Sequence, residues 1–405
     1  MRIMRVMLRL CTVNMLIALL MVPAAFGGTR VATTCSYSDV SAAYNAASAG
    51  DIINIPAGDC TWSNSLTVSK RDLVFAGAGA SSTTIRRNGR TFDFSGTSGN
   101  GTRITGIYFD RGGIFFDGTN AAKDWRIDNN YFNNVNHAIK TDGDARGLID
   151  HNTFFNSYAI YMFFNGRSSQ TYPLDVGDKV SSSTNILFIE DNLFKGMTSS
   201  NCRPHTLVGN LAARAVIRYN TFDYTPSTCW DALDAHDSNE NYPNRGTLGY
   251  EIYNNNFLFA SGAARTIHLR GGQHLVYNNH FNASMNNPIR ITSYTNNSRP
   301  ERCTGNIYDL DDSDPNSCPD QINHSYFWDN KENCGTADIN LCGSGREEPV
   351  VNVAPEVNIE GTHFYKFKMP GYTPYIYPHP LQSGEIGDTI PPAPPTDLTP
   401  GAEIN

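Results

Sequence analysis

"IDNNYF" at residues 127–132 returns as "IDHNTF" at 149–154, "IEDNLF" at 189–194, "IRYNTF" at 217–222, "IYNNNF" at 252–257 and "VYNNHF" at 276–281. Each copy is an apolar residue, two variable ones, an asparagine, a variable residue and an aromatic. A related "ITGIYF" ends at Phe109, so the aromatics fall 23 residues apart from Phe109 to Phe132 and 22 from Phe132 to Phe154, and again 24 from Phe257 to Phe281. A fixed period of this length marks a stacked repeat, and strands this short with no helix between them predict a parallel β-helix. The longer interval from Phe154 to Phe194 marks a coil that carries an insertion. The recurring Asn is expected to bond backbone groups of the next coil and the Phe to stack beneath it, so both build the fold rather than the chemistry.

Composition agrees with a turn-rich all-β chain. Of 405 residues only 17% are charged, against 34 Gly, 20 Tyr and 21 Phe. Arg2, Arg5 and Arg9 precede an apolar run from about Val13 to Val22 and then small residues, the pattern of a secretory signal peptide over residues 1–28. Its removal takes the formal charge from −8 to −11 and leaves no membrane span. A surface so acidic argues against nucleic acid as partner. Residues 29–382 are expected to form one right-handed solenoid, closed at its start by a short helix over Asp39–Ala47, and 383–405 a proline-rich flexible tail.

Apart from Cys11, eight cysteines remain, falling as neighbours: Cys35 and Cys60, Cys202 and Cys229, Cys303 and Cys318, Cys334 and Cys342. In an exported chain these predict disulfides that close short loops, and no spacing suits zinc or haem. The acidic "DLDDSDPNSCPD" at 309–320 lacks the glycine and glutamate of the familiar calcium loop and is expected to be a disulfide-flanked loop. Sequons at Asn100, Asn282, Asn296 and Asn323 matter only in a glycosylating host.

The strands that follow each Asn turn carry the candidate chemistry. They are "HAIKTDG" (137–143), "YAIYMFF" (158–164), "HTLVGN" (205–210), "DALDAHDS" (231–238), "RTIHLRGG" (265–272) and "NPIRITSY" (287–294). With Ile139, Ile160, Leu233, Ile267 and Ile289 inward, one outward column holds Lys140, Tyr161, Asp234, His268 and Arg290. A second holds Asp142, Phe163, His236, Arg270 and Thr292. Adjacent coils lie about 4.8 Å apart, so these groups would touch. Eliminative cleavage of a uronate polymer needs a base beside the carboxylate, positive charge for the enolate-like intermediate and a proton for the leaving oxygen. His236 is the candidate base, Asp234 or Asp237 its orienting group or a cation ligand, Arg270 and Arg290 the carboxylate clamp, and Tyr161 a stacking or proton-donating group. For Lys140 and Asp142 a structural pair is the favoured reading.

The cap with "GDIINIPAGDCTW", the "RGLIDHNTF" and "FIEDNLF" coils and the final "YPHPL" resemble secreted right-handed parallel β-helix proteins of the pectate-lyase-like superfamily over roughly residues 35–382. That fold hosts lyases, hydrolases and binding proteins alike. "NRGTLGYEIYNNNF" and "RTIHLRGGQHLVYNNHF" are also similar to the part of alginate-lyase and chondroitinase-B-like enzymes that carries a Lys base and, one coil later, an Arg. The resemblance implies that Arg270 is that Arg and places the Lys position near Arg245, where a guanidinium departs from the pattern because it stays protonated. It also implies acidic calcium ligands in the region of Asp234 and His236, where a histidine suits calcium poorly, so Ca2+ stays a possible rather than a required cofactor.

The sequence therefore favours a secreted, extracellular or periplasmic, monomeric lyase on an acidic polysaccharide, with His268, Arg290, Tyr161 and Lys140 binding substrate. A non-catalytic carbohydrate-binding or cell-surface protein of the same fold is the alternative. A glycoside hydrolase using Asp231, Asp234 and Asp237 is a third, weakened because the Asn-Thr-Asp, Asp-Asp, Gly-His-Gly and Arg-Ile-Lys series of polygalacturonase-like hydrolases is absent.

Overall fold

The computed structural model describes residues 27–117, 122–142, 146–163, 186–196, 205–210, 213–225, 231–236, 247, 249–259, 265–283, 286–292, 322, 324–332, 349–352 and 358–383. Residues 1–26 of the expected signal peptide, Arg245, Asp237, the loop 309–320, Asn296, Asn323, the tail after 383 and most of the expected insertions (163–185, 195–204 and 223–249) lie outside them. So do Cys202, Cys229, Cys303, Cys318, Cys334 and Cys342.

Those residues wind as a right-handed parallel β-helix. One coil shows the plan: Lys123–Asp128, then Tyr131–Asn133, then Asn136–Asp142. Strands of the first kind stack into a twelve-stranded parallel sheet from Thr29–Val31 to Phe364–Tyr365. The motif sits at the turn out of this sheet. Its apolar residues pair in register, Ile127 with Ile149, then Ile189, Ile217, Ile252 and Val276, all fully buried. The aromatics Phe109, Phe132, Phe154, Phe194, Phe222, Phe257 and Phe281 form a continuous stack with centroids 4.6–5.0 Å apart.

The asparagines form the internal ladder. The Nδ2 of Asn130 donates to Oδ1 of Asn152 at 3.1 Å, and the same bond runs from Asn152 to Asn192, Asn192 to Asn220, Asn220 to Asn255, Asn255 to Asn279 and Asn279 to Asn330 at 2.9–3.1 Å. Each Oδ1 also accepts the backbone N–H of the previous Asn, so the buried turn leaves no donor orphaned. The left-handed position is the residue before the ladder Asn: Asn129, His151, Asp191, Tyr219, Asn254 and Asn278 have φ of 50–58°. In "ITGIYF" this position is Gly106 (φ 72°), the Asn is replaced by buried Ile107, and the ladder ends with Ile107 N–H donating to Asn130 Oδ1 at 3.0 Å.

The capping helix spans Tyr37–Ala46, two residues earlier at its start than the composition suggested, because Ser36 caps it by accepting from Asp39 N–H at 3.3 Å. Cys35 and Cys60 are disulfide-bonded beside it, as their spacing predicted. At the other end, residues 371–383 lie across the outside of the first sheet. Fully buried Arg218 donates to Tyr375 O (2.9 Å) and Ile376 O (2.8 Å), and Gln382 and the backbone of His379 donate to Glu190 Oε1 at 3.0 and 2.9 Å. A second apolar cluster, including Phe188, Val216, Tyr253, Tyr277, Trp328 and Tyr372, is sealed beneath this strap.

Candidate functional site

The third strand of successive coils builds the face singled out in the sequence. Lys140, Tyr161, Val208, Asp234, His268 and Arg290 stand in Cα register, which is the expected first column with Val208 supplying the coil between Tyr161 and Asp234. In the second column Asp142 pairs with Phe163 and Phe163 with Asn210. Backbone bonds from His236 N to Gly209 O (2.9 Å), Arg270 N to Ala235 O (3.1 Å) and Thr292 N to Leu269 O (2.9 Å) carry the ladder one residue further. His236 and Arg270 are thus lateral neighbours on adjacent coils.

A third column was not foreseen. Tyr158, His205, Asp231 and Arg265 each precede an inward residue by two positions, so strict alternation would turn them into the core. The chain bulges instead. Both Ala232 N–H and Leu233 N–H donate to Thr266 O (2.9 and 3.0 Å), and both Ala159 N–H and Ile160 N–H to Thr206 O (3.0 and 3.1 Å). One carbonyl serving two consecutive amides reverses the side-chain parity. Ala159, Ala232 and Thr266 fill the corner of the core, and the residues before them are delivered to the outer face.

The three columns meet around two buried carboxylates. Asp231 Oδ1 lies 3.0 Å from Arg265 Nε, while its Oδ2 lies 3.3 Å from His205 Nδ1 and 3.6 Å from His268 Nδ1. Asp234 is gripped at both oxygens by Arg270, at 3.0 Å from Nε and 3.1 Å from Nη2, with His205 Nδ1 at 3.6 Å and His268 Nδ1 at 3.8 Å. Burial alone would raise the Asp231 carboxyl, but His205, His268 and the charge of Arg265 outweigh it and hold the group well below its usual range. Burial lowers His268 despite both carboxylates, and burial together with Arg265 and Arg270 lowers Arg290. His236, half-buried, follows Asp234 on the same strand edge.

Upstream on this face the groups are aromatic. His137 packs against Tyr158 and Tyr161 with ring centroids 4.9 and 5.0 Å away, and Tyr158 stands edge-on to His205 at 6.4 Å. Lys140 bonds Asp142 at 3.1 Å; burial raises Asp142 to about 6 although Lys140 opposes it. The structure thus gathers Asp234, His268, Arg270 and Arg290 with His236 beside them, and places Tyr161 and Lys140 along the approach. His205, Arg265, Tyr158 and His137 are additions. Their signal was the first letter of each strand, which alternation discounted.

His205, Asp231 and Asp234 offer three ligand atoms within 4.8 Å of one another, the geometry of a possible metal triad. The donor set does not suit calcium, which takes six to eight oxygens. One donor is a nitrogen, and both carboxylates already face guanidinium groups at 3.0 Å. No chemical step is therefore routed through an ion.

No family model and no curated protein matches the chain. Among solved structures it is similar to an alginate lyase from Paenibacillus sp. str. FPU-7 (14% identity, 66% of this chain and 98% of that one, TM-score 0.39). It is also similar to the PL6 family alginate lyase AlyGC (14%, 85% of this chain and half of that one, TM-score 0.45) and to the catalytic domain of a GH87 alpha-1,3-glucanase in complex with nigerose (13%, 86% and 69%, TM-score 0.35). The class that the coordinates define is a right-handed parallel β-helix with a charged, aromatic-flanked face on its third strands. Among the described residues no helix is long and apolar enough to cross a membrane.

Proposed function

We propose that this face binds an acidic, uronate-containing polysaccharide and cleaves it by β-elimination. The observation that carries the reading is the charge balance of the centre. Among the described residues Arg265, Arg270 and Arg290 stand beside two carboxylates, Asp231 and Asp234, so these five groups sum to +1 in a chain of formal charge −8. A positive centre in an acidic protein selects for an anionic substrate. Hydrolysis is less well supported, since it needs a carboxylic acid that holds its proton, and Asp231 is kept ionised.

In this reading Arg270 and Arg290 bind the uronate carboxylate and stabilise the charge that spreads onto it. His236, in the position one coil before Arg270, takes the proton from the carbon beside the carboxylate. The bond from the next carbon to the glycosidic oxygen then breaks and its electrons leave with that oxygen. A carbon–carbon double bond forms, and the His236 imidazolium returns the proton to the leaving oxygen. Asp231 and Asp234 act as positioning residues for Arg265, Arg270, His205 and His268.

The test is the near-ultraviolet absorbance of the unsaturated uronate on alginate, pectate and glycosaminoglycans, for wild type, His236→Ala and Arg270→Lys, with circular dichroism to verify folding. A rise lost in both variants supports the lyase. No rise on any polymer, with binding retained, overturns catalysis in favour of a binding protein.

A further inference from the structure

Outside the charged centre, one cavity of about 380 Å³ lies among Asn88, Arg111, Phe115, Asn134, Asn136 and His137. Its size falls within the range of small-molecule pockets. It is continuous with the face just described. Phe115 pairs in register with Lys140, the upstream end of the first column, and His137 is the ring that packs on Tyr158 and Tyr161.

The backbone of this pocket is unusual at one point. Asp110, Asn133 and Phe155 stand in register, so the next residues, Arg111, Asn134 and Asn156, occupy one corner position of successive coils. All three are left-handed, with φ of 59°, 51° and 46°, and the following coil uses Gly196 (φ 77°). Asn and Gly are the residues this conformation favours, whereas arginine enters it at a cost and persists where something other than local preference retains it. His137, which also lines the pocket, is left-handed at φ 60°.

Arg111 is weakly engaged by the protein. Among the described residues its nearest acidic oxygen, Asp110 Oδ2, lies 3.7 Å away and already accepts Arg86 at 2.8 Å, while Asp110 Oδ1 accepts Asn133 at 3.2 Å. The Arg111 side chain is 55% exposed. Arg90, stacked over Phe115 at 4.7 Å, is by contrast paired with Asp93 and Asp117, so Arg111 is the pocket's available fixed charge.

We infer that this cavity is a distal subsite for a negatively charged sugar unit of the same polymer, with Arg111 bonding its carboxylate and the Asn88, Asn134 and Asn136 amides its hydroxyls. The inference rests on the proposed function of the charged centre and extends it. Four coil steps separate Phe115 from Asp234 in their column, about 19 Å at the spacing of paired strands. A disaccharide held at Asp234 and His268 cannot reach the pocket, but an oligosaccharide lying along the helix axis over Tyr161 and Lys140 can. The subsite makes chain length, and charge several units from the reacting bond, a determinant of affinity.

The test is calorimetric binding of disaccharides and decasaccharides of alginate, pectate and a neutral glucan to wild type and Arg111→Asn. Asparagine already occupies this corner in the next two coils, so the variant keeps the fold. The gain in affinity from acidic disaccharide to acidic decasaccharide should shrink about tenfold in the variant, the weight of one charge-assisted contact. An undiminished gain overturns the subsite and leaves the charged centre standing. Equal weakening on neutral and acidic chains overturns its charge preference. If wild type binds neither acidic oligomer, the reading of the charged centre fails and the subsite fails with it.

Discussion

Glu251 offers the sharpest test of how the strap is fastened. The residue is fully buried on the first sheet between Val216 and Leu275. Its Oε2 accepts a 2.5 Å bond from Tyr372 of the strap, and its Oε1 has no hydrogen-bond partner among the described residues. Burial raises its pKa from 4.5 to about 7, while Tyr372 and Arg218 pull the other way without prevailing. Between those values the folded protein holds a proton that the unfolded chain has released. Stability therefore falls as pH rises through the window from 4.5 to about 7, by about 3 kcal/mol in all at 1.36 kcal/mol per pH unit. Glu251→Gln imitates the protonated form and keeps an acceptor for Tyr372. The variant should match wild type near about pH 4 and exceed it by up to about 3 kcal/mol near about pH 8. Urea midpoints of both proteins across this range measure the effect. Other groups that titrate there, Asp142 among them, cancel in the difference. Parallel curves would refute the account, because they would mean that the Glu251 proton is not retained on folding.

Asn192→Ala removes three donations, to Ile149 O, Glu190 O and Asn220 Oδ1, and the acceptor of two bonds from Asn152. It should cost about 3–5 kcal/mol in chemical denaturation, and a loss under about 1 kcal/mol would show that the ladder is decorative. Cys60→Ser opens a disulfide across a sequence separation of 25 residues, and should lower stability by about 3.5 kcal/mol in the absence of reductant. Chelation should leave the thermal midpoint and glycan binding unchanged, because Arg265 and Arg270 already neutralise Asp231 and Asp234 at 3.0 Å; a loss restored by calcium would show that an ion displaces them.

The core was legible because it repeats. Ile, Asn and Phe recur at fixed offsets, and each copy occupies the same place in its coil, so one inference about a turn serves all of them. The two columns through Lys140, Tyr161, Asp234, His268 and Arg290 and through His236, Arg270 and Thr292 followed from alternation alone, since their strands stay regular past the inward Ile or Leu. Asp231, His205 and Arg265 did not, because the residues after them, Ala232, Thr206 and Thr266, are buried at the corner, and the parity there is set by how the corner packs. The ionic pairing was illegible for a related reason. That Arg270 grips Asp234 and Arg265 grips Asp231 depends on which side chains share a column across 30 or more residues of chain.

The same division explains how this scaffold tolerates a charged centre. Two carboxylates, three arginines and two histidines pressed together out of solvent are a poor source of stability, since desolvation offsets much of their mutual attraction. Stability resides elsewhere, in the Asn ladder, the Phe stack and the strapped second cluster on the far side of the coils. None of these shares a side chain with the candidate site. The site's residues are positioned mainly by strand register, which places each group to within a coil step. Substitutions at Asp231, Asp234 or Arg270 should therefore alter the proposed binding and elimination far more than the spacing of the coils. A double substitution that replaces both members of an ion pair, such as Asp234→Asn with Arg270→Gln, should be better tolerated by the fold than Arg270→Gln alone, which leaves the Asp234 carboxylate buried without its guanidinium. Denaturation midpoints of the single and double variants decide the point, and a double variant less stable than the single would place these charges within the fold's own support.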